Sequence, residues 1–159
     1  MAGDNEQVIL AAAEEEKKIS RSIMTWVNRW PNVPDGILRI KFEQFTTNAA
    51  GEPLTPGMML STVAAASITK RYIVGGHKGE YQFALVYRIK PRSSDGERLS
   101  ADEALNDFGD WAAANPPDLG EGINTIKVES VSRGSFIGSY DNGDESHQIP
   151  MRIVYEVPP

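Results

Sequence analysis

The sequence contains no cysteine, which excludes disulfides, thiolate metal sites, iron–sulfur clusters and cysteine nucleophiles. It has two histidines, His77 and His147. They cannot by themselves build a zinc site, and they leave the commonest catalytic base scarce. Basic residues are the minority: 16 Lys and Arg stand against 22 Asp and Glu, a formal net charge of -6. Gripping nucleic-acid phosphates needs clustered positive charge, so that task is not expected. No apolar run approaches the ~20 residues that span a bilayer. Residues 1–6 are polar and acidic, without the basic start and apolar centre of a secretory signal. The chain is therefore expected to fold in a cytoplasm and to have no membrane partner.

What is present is an ordinary globular balance: 159 residues, 40% hydrophobic and 24% charged. A chain of this length buries roughly 70% of the surface that its unfolded form exposes, enough for a true core. There is no internal repeat, low-complexity segment or linker. One domain over residues 1–159 is expected, with 1–6 as a flexible tail.

Residues 7–30 read as a long helix, with Ile19, Ile23, Val27 and Trp30 near helical spacing. Pro31 and Pro34 stop it. Residues 37–45 alternate, with Leu38, Ile40 and Phe42 against Arg39, Lys41 and Glu43, as in a strand with one wet face. Residues 46–57 form the longest loop, polar and mobile, and 58–63 a short strand. Two further runs, 68–74 and 80–90, flank Gly75-Gly76-His77-Lys78-Gly79, the signature of a hairpin. Tyr81, Phe83, Leu85, Tyr87 and Ile89 share one face of the second run, which should be central to its sheet.

A loop over 91–98 leads to a second helix. Ser100 and Glu103 make its capping box, and Leu99 is placed as the outer half of a staple. Its apolar stripe is Ala104, Leu105, Phe108, Trp111 and Ala112. Strands follow at 123–133 and 148–157, with 134–140 a short strand or loop and Asp141-Asn142-Gly143-Asp144 a tight turn. Pro150 cannot donate to a ladder and argues for an edge or a bulge. Strands linked by hairpins, with one helix before them and one among them, predict an α+β fold: an antiparallel or mixed sheet with two main helices packed on one face.

The residues that could carry chemistry have plainer explanations. Gly75 to Gly79 could cradle a phosphate, but such loops feed a helix, and this one joins strands. Asp141, Asp144 and Glu145 beside His147 could attract a cation, yet their spacing fits no calcium loop and suits an exposed acidic turn. Asp102, Glu103, Asp107 and Asp110 read as a solvated helix face without partner ligands. There is no Gly-x-Ser-x-Gly elbow, and neither histidine has an obvious orienting acid in the sequence. No catalytic residue, metal site or cofactor is expected. The rival reading is a small ligand-binding enzyme using His77 or His147, which would require one of them buried against a carboxylate in a deep pocket.

Several segments together resemble small minor capsid or tail-terminator-like proteins of long-tailed, siphovirus-type bacteriophages and prophages. They are Ser22-Ile23-Met24-Thr25-Trp26-Val27-Asn28, Lys70 to Gly76, Tyr81 to Arg88, Arg98 to Asn106 with Gly109-Asp110-Trp111, and Tyr140 to Ile149. The resemblance covers most of residues 20–157 in pattern and order. It implies a virion structural protein that caps the head-proximal end of the tail tube. Implied partners are further copies of itself in a ring, commonly a hexamer, the tail tube protein and the head connector or stopper. DNA would pass through without specific binding, and assembly would occur in the bacterial host cytoplasm. A compact chain of this size is about 40 Å across, and six in a ring leave an opening of similar width. An acidic lumen would let DNA pass without sticking. The contacts expected on this reading are Asn48, Glu52 and Leu54 in one loop and Gly75, Gly76, His77 and Lys78 in another.

Overall fold

The computed structural model describes residues 2–91 and 95–159, with side chains described from residue 13 onward except at 64 and 65. Eight elements follow in order: helix α1 (Ala2–Val27), strands β1 (Lys41–Phe42), β2 (Gly57–Arg71) and β3 (His77–Ile89), helix α2 (Asp95–Ala114), and strands β4 (Asn124–Ser130), β5 (Ser135–Ser139) and β6 (Glu145–Val157). The six strands form one mixed sheet in the order β1-β2-β3-β6-β4, with β5 pairing β6 beyond the end of β4. This is the α+β fold expected from the sequence. No described helix is long and apolar enough to cross a membrane.

Both helices cover the same face of the sheet. On α1, Ile19, Ile23, Trp26 and Val27 recur at the spacing that makes one stripe, and all are buried. Trp26 meets β3 at Phe83 edge-on (centroids 6.3 Å) and stacks on Trp111 of α2 at 5.3 Å. Phe108 of α2 lies 5.3 Å from Trp30. Beneath them run Tyr81, Phe83, Leu85, Tyr87 and Ile89 of β3 and Ile149, Met151, Ile153 and Tyr155 of β6. As expected, β3 is central, between β2 and β6.

Several elements differ from the sequence reading. Helix α1 starts at Ala2 and ends at Val27. Asn28 explains its end: the Asn28 amide donates to the Met24 carbonyl and the Ile40 carbonyl, and its Oδ1 accepts the Ile40 N–H. The same bonds occupy the backbone of Ile40, so the alternating run 37–45 pairs as a strand only at Lys41–Phe42, and Leu38 is left exposed. The run 58–63 and the first part of the run 68–74, as far as Arg71, belong to one strand, β2, joined through the alanines at 64–66. The turn of its hairpin lies at 72–76, so His77, Lys78 and Gly79 belong to β3. Gly79 is needed there for space, because a Cβ would run into the Tyr155 ring across the ladder.

Helix α2 begins at Asp95, so Ser100 and Glu103 lie inside it and Leu99 is exposed. The expected loop at 91–98 falls partly outside the described residues. Asp95 and Glu97 give the first turn the negative charge a helix N-terminus favours. Pro150 sits in a strand paired on both sides, not at an edge. Its missing donor costs nothing because β5 pairs Glu145 to Gln148 and β4 pairs Met151 to Glu156, leaving a gap where the neighbour changes. There the Pro150 carbonyl accepts the Val131 N–H at 2.8 Å.

Candidate functional site

The residues expected as contacts fall in two groups, at the two ends of the sheet. The thirteen residues of β3 separate them by about 40 Å at ~3.3 Å per residue. The two groups of expected contact residues are therefore not brought together.

At the first end, residues 46–56 fold back on themselves. Thr47 and Pro53 bridge, the Leu54 N–H donates to the Thr46 carbonyl, and Asn48 Oδ1 accepts the N–H groups of Ala50 and Glu52. Asn48 is thus spent on its own loop, Glu52 points to solvent, and Leu54 is half-buried. Residues 47–53 are all exposed.

Under this loop lies a charged network that the sequence reading did not anticipate. Arg88, Asp144, Glu145, Ser146 and His147 are all buried. Arg88 comes from the outer face of β3, where Ala84 and Val86 are buried too. Its guanidinium covers the Tyr140 ring at 3.7 Å, and Nε donates to Asp144 Oδ2 at 2.9 Å. Thr55 and Asn142 donate to the same oxygen, and Lys90 Nζ stands 3.9 Å from the other. Burial alone would raise the Asp144 carboxyl, but the bonds from Arg88, Thr55 and Asn142 outweigh it and hold it below its ordinary value.

On the inner face, Arg98 of α2 grips Glu145 with Nε and Nη2. That bond lowers the Glu145 carboxyl against the opposing effect of burial. His147 Nδ1 donates to Asp102 Oδ1 at 2.8 Å, its Nε2 lies 3.4 Å from Glu145 Oε2, and Phe136 meets its ring edge-on.

Two expectations are corrected here. The turn at 141–144 forms, but Asp144 and Glu145 are not an exposed acidic turn. Nor are the histidines without orienting acids. His147 is 1% exposed between two carboxylates, and His77 Nε2 donates to Glu15 of α1 at 2.9 Å. The second pairing joins residues 62 apart and leaves no local signature. Glu145 and His147 were readable, since i and i+2 in a strand share a face.

With both ring nitrogens of His147 facing carboxylates, neither is presented to a substrate. The nearby open cleft of about 890 Å³ is lined by Pro34, Thr55, Tyr87, Lys90, Glu97 and Ala101 among others, and His147 is not part of its wall. Among the described residues, no group of three or more His, Asp or Glu is arranged to hold a metal ion. Asp102 and Asp107 do more than solvate α2: Asp107 accepts from Trp30 Nε1 and Asn32 Nδ2.

At the second end, the turn at 72–76 is closed by the Tyr72 N–H to Gly76 carbonyl bond and the Gly75 N–H to Tyr72 carbonyl bond. Gly75 and Gly76 take positive φ, 94° and 81°, a region glycine occupies without strain. Ile73 and Val74 at the tip are exposed almost completely. His77 and Lys78 lie behind the tip, and His77 fastens the hairpin to α1. The Glu15 carboxylate it binds also accepts from the Tyr155 hydroxyl. Burial, then the charge of Glu15, push that hydroxyl far above its ordinary value.

No protein-family model matches this chain, and no curated protein matches it in sequence. Twelve chains of solved structures match it in fold. One, from the virion of a native gene transfer agent (GTA) particle, superposes with a TM-score of 0.55 over 87% of this chain and 97% of that chain, at 8% identity. At that identity the likeness is one of fold.

Proposed function

We propose that this chain is a structural protein of a phage-like virion, and within the virion the tail terminator that closes the head-proximal end of the tail tube. Its partners on this reading are other copies of itself in a ring, the tail tube protein and the head connector. The fold shared with a chain of a gene transfer agent virion over nearly the whole of both chains is the observation that carries the proposal. The segments quoted above supply the terminator role. Two further features support it. The contact loops project from opposite ends of one sheet, as a part joining two different neighbours requires. The formal charge of -6 suits a ring through which DNA slides. The reading assigns the protein no reaction: the one deeply buried histidine has both nitrogens committed within the fold.

The test is genetic and visual. Removing the gene from the particle that encodes it should yield tubes of unregulated length and heads without tails under the electron microscope. Normal particles would refute the proposal. A finer variant replaces residues 47–53 with Gly-Gly. The cut stops short of Thr55, which holds Asp144, and joins positions already in hydrogen-bond contact through Thr46 and Leu54. It should leave the fold intact and abolish joining at one end of the protein.

A further inference from the structure

We propose that copies of this chain associate edge to edge, the free half of β2 in one copy lying against β4 of the next. This interface rests on the reading of the protein as a ring-forming virion component.

β1 pairs β2 only at Met59 and Leu60. Glu43 then turns back with φ 63° and its carboxylate accepts the Thr62 N–H. Beyond that point, among the described residues, no strand pairs the outer side of β2. On the opposite flank β4 pairs β6 on one side, and no described strand lies on the other.

The two free edges are level across the sheet. Ser67 pairs Glu80, Glu80 pairs Val154, and Val154 pairs Lys127. In the same way Ala64 leads through Gln82 and Arg152 to Glu129, and Lys70 through Lys78 and Glu156 to Asn124. β1 and β5 fill the flanks only at the other end.

Direction matches as well. Three successive antiparallel pairings make β4 run opposite to β2. A second copy, placed alongside in the same orientation, therefore offers an antiparallel partner. Such a contact is head-to-tail, and repeating it about an axis closes a ring.

The side chains are complementary. Val63 is exposed on the β2 edge, with Ile126 and Val131 exposed on the β4 flank. Lys70 and Arg71 end β2 at the level where exposed Glu121 stands just ahead of β4. Three register shifts and two cations in the free half of β2 are devices that keep an edge from pairing at random. A second copy, with its level antiparallel edge and its glutamate, is the occupant they admit.

The absence of cysteine permits a clean test on the full chain. Ser67→Cys and Lys127→Cys together place one thiol on each edge, both exposed and at the same level. Directly opposed antiparallel residues have Cα atoms about 4.5–5.5 Å apart, within disulfide reach. Oxidation at millimolar protein should give a non-reducing ladder at multiples of 17.5 kDa. Each single variant should give none, and the control pair Leu38→Cys with Phe136→Cys should give none. A ladder from the control pair, or efficient dimers from either single variant, would overturn the edge pairing. So would the absence of a ladder. Light scattering separates the failures: several copies without a ladder removes this interface alone, whereas a single chain without a ladder removes the ring reading with it.

Discussion

Replacing Asp144 with Asn tests the network that anchors the first end of the sheet. The substitution keeps the shape and removes the charge. Asp144 is 2% exposed and is the carboxylate that Arg88 Nε, Thr55 and Asn142 address, with Lys90 nearby. Breaking a buried ion pair costs about 3–5 kcal/mol, because the surviving charge is left uncompensated. Here two features moderate the loss. The amide oxygen of Asn still accepts one bond, and Arg88 keeps its seat on the Tyr140 face, worth about 0.5–2 kcal/mol. We expect a loss of about 3 kcal/mol, hence a Tm lower by about 6–12 °C for a chain of this size, read by urea titration and calorimetry.

The double variant Arg88→Met with Asp144→Leu removes both charges and should lie within about 1 kcal/mol of the parent. With the single variants Arg88→Met and Asp144→Leu completing the cycle, the coupling should exceed ~1 kcal/mol. The pH dependence has a definite sign. Asp144 and Glu145 are held below their ordinary values of 3.8 and 4.5. Their contribution is complete above those values and is lost as the pH falls through them toward the folded-state values. Asp144→Asn should flatten that acid limb. A loss below ~0.5 kcal/mol, or single-variant effects that simply add, would refute the reasoning.

Two other substitutions probe the positions where expectation and structure parted. His147→Ala should cost about 2–4 kcal/mol through the cavity and the stranded Asp102, whereas an unchanged urea midpoint would mean that the ring faces solvent. Gly79→Ala should cost about 1–3 kcal/mol, since its methyl meets the Tyr155 ring; an unchanged Tm would contradict the β3–β6 register.

Periodicity alone determined much of this protein. The stripe Ile19, Ile23, Val27 and Trp30, the alternation from Tyr81 to Ile89 and the stripe through Leu105, Phe108 and Ala112 each report a buried face. Burying a face is a local demand on spacing. These elements and the α+β class were therefore legible. The loop at 46–56 and the presence of a hairpin turn before β3 were legible, because glycine, proline and asparagine mark turns wherever they fall, although that turn lies at 72–76 and not at 75–79.

Only the tertiary structure decided where polar groups find partners. Run 37–45 alternates like a strand, yet Asn28 takes up the backbone of Ile40 and shortens it to two residues. Pro150 reads as an edge marker, yet a gap between two neighbours lets it sit inside the sheet. His147 meets Asp102, 45 residues away, and His77 meets Glu15. A carboxylate stabilises whichever donor folding brings within about 3 Å, and that distance bears no relation to separation along the chain. Apolar burial leaves a periodic trace in sequence, whereas a hydrogen bond between distant residues leaves none.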